Sequence, residues 1–123
     1  MSHAASNKPW SLSGRTCLIT GITQGIGRIT ALELAKTGCR LLLVARDERR
    51  GTALVDEIKA LRRDAAVELL IADLSAMAQV RRLAGEVKAR TDRLDMLLNN
   101  AGAVFVDRQL TVDGFERTFA LNH

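Results

Sequence analysis

One stretch constrains this chain more than any other. An apolar strand candidate, Thr16-Cys17-Leu18-Ile19-Thr20, runs straight into Gly21-Ile22-Thr23-Gln24-Gly25-Ile26-Gly27, and a helical pattern from Arg28 to Lys36 runs out of it. Glycine has no Cβ, so a backbone built from it can turn sharply and leave its N–H groups open. The helix that follows points the positive end of its dipole at the same spot. A strand, a glycine loop and a helix in succession therefore suit a bound anion, first of all the pyrophosphate of a dinucleotide. Gly21, Thr23, Gln24, Gly25, Ile26 and Gly27 are the candidate contacts. Glycines also build ordinary turns, so the rest of the chain has to carry the choice.

The same alternation continues. The first helix is expected over Gly25 to Thr37, with Ile29 and Leu32 on one face and Gly38 as terminator. Arg40 to Ala45 is a continuous apolar run, as in a parallel strand covered on both sides. Asp47 is placed to cap a second helix, in which Leu54, Ile58 and Leu61 recur at helical spacing. Ala66 to Ala72 is a third strand. Ser75 is expected to cap a third helix striped by Val80, Leu83, Ala84 and Val87. Asp95 to Leu98 gives a short fourth strand, and Thr111 to His123 the start of another helix. This β-α alternation predicts an α/β fold, the N-terminal half of a doubly wound, Rossmann-type parallel sheet in the order 3-2-1-4. Residues 1–13 read as a flexible leader and 14–123 as the domain. A doubly wound sheet has a second half, so the expectation is a fragment or truncated product that ends after the fourth strand and the start of its helix. Leu97, Leu98, Phe115 and Phe119 would then lack cover.

Composition bounds the partners. With 47% apolar and 26% charged residues, the chain suits a globular domain. The net charge of +4 is spread over pairs such as Arg49-Arg50, Arg62-Arg63 and Arg81-Arg82, which fit solvated helix faces better than a nucleic-acid surface. Cys17 and Cys39 form no Cys-x-x-Cys motif and suggest buried free thiols in a reducing, cytoplasmic setting. His3 and His123 stand at opposite ends, so no metal site is read, and no apolar run is long enough to span a membrane.

Ligands of such sheets bind at the carboxyl ends of the strands. After the second strand stand Ala45 and Arg46, where an NAD site wants a carboxylate for the ribose hydroxyls. A guanidinium can fork onto a 2′-phosphate instead, which predicts NADP over NAD. Arg46 can equally be a plain surface residue. After the third strand, Asp73-Leu74 can bond the edge of adenine, or simply lead into a helix. After the fourth, two amides and two small residues, Asn99-Asn100-Ala101-Gly102, can tie neighbouring strand ends together and leave room for a ribose against Asn100, Ala101 and Gly102.

Thr-Gly-x-x-x-Gly-Ile-Gly at Thr20 to Gly27, Asp73-Leu74, Asn99 to Gly102 and Asn122-His123 together resemble the short-chain dehydrogenase/reductase family from about Gly14 onward. Ala45-Arg46-Asp47 and Thr111-x-Asp113-Gly114-Phe115-Glu116 are most similar to its retinol dehydrogenase-like branch. The resemblance implies hydride transfer between a nicotinamide and an alcohol or carbonyl substrate. It also implies a Ser, a Tyr-x-x-x-Lys pair and an Asn that supports the proton relay, and it points to homo-oligomers. Only the Asn is present, as Asn122, which can also be read as an ordinary polar helix residue; the chain contains no Tyr, so by itself it is expected to be inactive. The alternative is a non-catalytic nucleotide-binding or interaction module. An S-adenosylmethionine site is disfavoured by Arg46, because it too wants a carboxylate after the second strand.

Overall fold

The computed structural model describes residues 11–102 and 107–122; the first ten residues of the predicted leader, residues 103–106 and His123 lie outside them. The elements are β1 (Thr16–Thr20), α1 (Gly25–Ala35), β2 (Arg40–Ala45), α2 (Glu48–Leu61), β3 (Val67–Ile71), α3 (Met77–Arg90), β4 (Met96–Leu98) and α4 (Arg117–Asn122). The strands form one parallel sheet in the order β3-β2-β1-β4, as the alternation predicts. Leu18 pairs with Leu42 on one side and Leu97 on the other, so β1 sits inside the sheet.

Strand periodicity divides the core into two layers. On one face Cys17, Ile19, Leu41 and Leu43 are buried with Ala31 and Ala35 of α1 and Leu54 and Ile58 of α2. On the other, Leu18, Leu42, Val44 and Leu70 meet Leu83 of α3. This two-sided burial is why β1 and β2 carry unbroken apolar runs. Both thiols are buried and free, and burial pushes the Cys17 thiol up to about 11.

Several local expectations are corrected. The buried residues of α1 are the small ones, Gly27, Ala31 and Ala35, which let the helix lie close to the sheet; Ile29 is 59% exposed, while Leu32 packs only partly against the core. The helix closes at Ala35, short of Thr37. In α2, Leu54 and Ile58 are buried with Gly51, but Leu61 in the last turn is exposed. Asp47 caps α2 as expected, accepting from the Arg50 N–H. Ser75 does not cap α3. The N-cap is Ala76, and the Ser75 hydroxyl donates to Asp73 Oδ1 at 2.6 Å. The Met77 N–H donates instead to Asp113 Oδ2 at 2.8 Å, a carboxylate supplied from beyond β4. Along α3 only Leu83 is buried, and Ala84 is exposed. Strands β3 and β4 are each shorter than expected.

The last helix begins at Arg117, not at Thr111. Gly114, at φ +80°, donates its N–H to Thr111 O, and Leu110 bridges Glu116 antiparallel. A left-handed glycine breaks a helix, so Thr111 to Glu116 forms a turn. The Glu116 carboxylate then receives the N–H groups of Thr118 and Phe119. At the β4 side of the sheet, Leu97, Phe115 and Phe119 are about half exposed, as expected, whereas Leu98 packs against the first core layer. Among the described residues no helix is long and apolar enough to cross a membrane.

Candidate cofactor site

The loop after β1 is held from β4. Thr20 ends β1 buried, and its Oγ1 receives the N–H of Asn100 at 3.0 Å and of Ala101 at 2.9 Å. Asn100 Nδ2 donates to Gly21 O at 3.0 Å. Two strand ends distant in sequence are thereby locked edge to edge. The approach is close: a Cβ on Gly21 would stand 2.8 Å from Ala101 Cα and from its N, and one on Gly27 would overlap the Gly21 carbonyl and the Asn100 amide nitrogen.

Gly25 differs. It has φ +62°, a region open mainly to glycine, yet a Cβ there would meet nothing within 4 Å. The bare backbone at the start of α1 therefore faces open space. Gln24 is the N-cap of α1 with no side-chain cap bond, and both it and Ile26 are exposed. The pattern is that of a cradle: Gly21 and Gly27 serve close packing, and Gly25 leaves room for something to approach the helix start.

A groove of about 280 Å³ runs along the strand ends beside this loop, lined by Gly21, Thr23, Ala45, Arg46, Asp73, Leu74, Ala101 and Gly102 among others. Seven of the expected site residues, all of these but Ala45, thus share one wall system. Asn100 reaches the loop through Gly21, and Asn122 through Gly102, where an added Cβ would lie 2.9 Å from Asn122 Oδ1. Gln24, Gly25, Ile26 and Gly27 do not line the groove itself; they form the start of α1.

Asp73 is positioned from three sides. Its N–H donates to Gln79 Oε1 at 2.7 Å, and its Oδ1 receives both the hydroxyl and the N–H of Ser75. Partial burial pushes its carboxyl up, but the two Ser75 bonds and the charges of Arg46 and Arg117 hold it below the ordinary value. It is thus an ionised acceptor at neutral pH. Arg46 stands exposed at the end of β2, and Asp47 is occupied as the α2 cap.

The sequence marks Thr20 as the head of the glycine motif but not as the clasp to Asn100 and Ala101. It does not mark Gln79, Arg117 or Leu121 at all, because they reach the site through tertiary placement.

The profile of the family described as short chain dehydrogenase matches residues 15–123, and the chain belongs to that family. It is 43% identical over 112 residues to a candidate daunorubicin C-13 ketoreductase, DnrU, of Streptomyces sp. strain C5, covering 91% of this chain and 39% of that protein. It is 34% identical over 113 residues to retinol dehydrogenase 13 of Homo sapiens, covering 92% of this chain and 34% of the relative. Among solved structures, a metagenomic short-chain oxidoreductase in complex with NADP superimposes with TM-score 0.77 at 32% identity, over 90% of this chain and 51% of that one. The NADP complex of RhlG from Pseudomonas aeruginosa gives 0.74 at 35% identity, over 91% and 43%. The chain thus spans about two fifths or less of these two relatives and about half of these two structures.

Proposed function

We propose that residues 14–123 are the cofactor-binding part of an NADP-dependent short-chain dehydrogenase/reductase acting on an alcohol or carbonyl substrate. The observation that carries this reading is the groove in which the glycine loop, Arg46, Asp73 and the Ala101-Gly102 backbone come together. The residues fit the group. The start of α1 and the loop after β1 would hold the pyrophosphate, Arg46 the 2′-phosphate, Asp73 and Leu74 the adenine, and Asn100 to Gly102 the ribose side. A nicotinamide cofactor, when bound, supplies hydride transfer.

What this chain contributes is binding and orientation. The Thr20 hydroxyl and the Asn100 amide fix the loop, and the Ser75 and Gln79 bonds fix Asp73. Asn122, close to Gly102, would support a proton relay. The sequence has no Tyr, so an acid/base of the kind the family uses is not among its residues, and hydride transfer is not expected of this chain alone.

Fluorescence titration tests the cofactor. NADPH should bind about tenfold more tightly than NADH, the worth of one charge-assisted contact, and Arg46→Leu should erase the difference. Equal or tighter NADH binding by the unaltered chain would overturn the NADP assignment.

A further inference from the structure

Arg117 heads α4, and its place is fixed by the turn before it. Its N–H donates to Gln109 O at 2.8 Å and its Nη1 to Gln109 Oε1 at 2.9 Å. The turn itself is fastened to α3 through the Asp113–Met77 bond. Arg117 is thereby brought, from the far side of β4 in sequence, into the lining of the groove that holds Arg46 and Asp73.

The charge count there is informative. Among the described residues that line the groove, two guanidiniums and one carboxylate are charged, a positive balance. Arg117 is half-buried where Arg46 is exposed, so its charge is the less screened of the two. We propose that Arg117 is a second cationic contact for the phosphorylated adenosine end of the dinucleotide, acting beside Arg46; this rests on the reading of the groove as an NADP site. A guanidinium stays charged throughout the working pH range and can fork onto phosphate oxygens. The influence of both arginines on the Asp73 carboxyl agrees with their sharing one locality.

Calorimetry on the full chain tests this with adenosine 2′,5′-bisphosphate and, separately, nicotinamide mononucleotide. Arg117→Leu should weaken the bisphosphate about five- to tenfold and flatten the dependence of its affinity on salt. Arg117→Lys should regain part of the lost affinity, because it keeps the charge and loses only the fork. Nicotinamide mononucleotide should be unaffected. Wild-type affinity and salt dependence in Arg117→Leu would overturn the inference, as would an Arg117→Lys variant no better than Arg117→Leu, which marks a packing role. If Arg46→Leu weakens the bisphosphate and Arg117→Leu does not, this inference falls and the NADP reading stands. If the unaltered chain binds no bisphosphate, both fall.

Discussion

At the residue scale, the three loop glycines divide between holding the fold and leaving room for a ligand. Gly27 is buried against the Gly21 carbonyl and the Asn100 amide, so an added methyl must push two strand ends apart. Gly27→Ala should lower stability by about 1–3 kcal/mol, read as a shifted denaturant midpoint. Gly25 stands at φ +62° with open space around its missing side chain. Gly25→Val should lower stability by only about 1–2 kcal/mol of left-handed strain, yet abolish NADPH binding by obstructing the helix start. Both variants losing stability alone, with NADPH affinity intact, would contradict this division. All three glycines are visible in the sequence; which one lies against the sheet and which opens outward is set by residues 100 and 101, far along the chain.

At the element scale, β1 and β4 are joined at both ends. At one end Thr20 holds Asn100 and Ala101; at the other, Asp95 accepts the Thr16 N–H at 2.8 Å and meets the guanidiniums of Arg93 and Arg15. The Thr16 bond foremost, helped by Arg93 and Arg15 and opposed by desolvation, lowers the Asp95 carboxyl below its ordinary 3.8. A carboxyl lowered on folding adds stability that is present above its unfolded value and lost as pH falls through the folded one. Acid unfolding should therefore steepen below the ordinary carboxylate range, and Asp95→Asn should flatten that limb in a pH series of thermal melts. Legibility varied at this scale for physical reasons. Strands β1 and β2 were readable to the residue because helices cover both their faces. The core face of α1 was misread because close helix–sheet contact selects Gly27, Ala31 and Ala35, and large apolar residues such as Ile29 were taken for the face. The start of α4 was misread because a helical pattern in Phe115 and Phe119 masked the turn signal of Asp113-Gly114.

At the scale of the whole molecule, the two faces of the sheet are unequal. One is covered by α1 and α2 together. The other has α3 against residues of β1, β2 and β3, and beyond it an open apolar surface that includes Leu97, Phe115 and Phe119. That inequality was foreseeable from the strand order, which puts β4 at an edge of the sheet. A hydrophobic dye such as anilinonaphthalene sulfonate should bind the folded chain there. Leu97→Lys should reduce the dye signal with little change in melting temperature, whereas Leu98→Lys, which points into the core layer, should lower the melting temperature by several degrees, for a loss of about 2 kcal/mol or more. Equal effects from the two neighbours would contradict the strand's two-sidedness.

The Thr20 clasp also bears on the order in which the chain matures. Its donors, the N–H groups of Asn100 and Ala101, lie 80 and 81 positions further along the chain. Strands β1, β2 and β3 can pair as soon as they are made, by short crossovers, but the glycine loop stays unfastened until β4 docks. The glycine loop, encoded first among the proposed site's parts, is fastened only when β4 is in place. A nascent chain stalled before Asn100 would therefore have the glycines without the grip that shapes them.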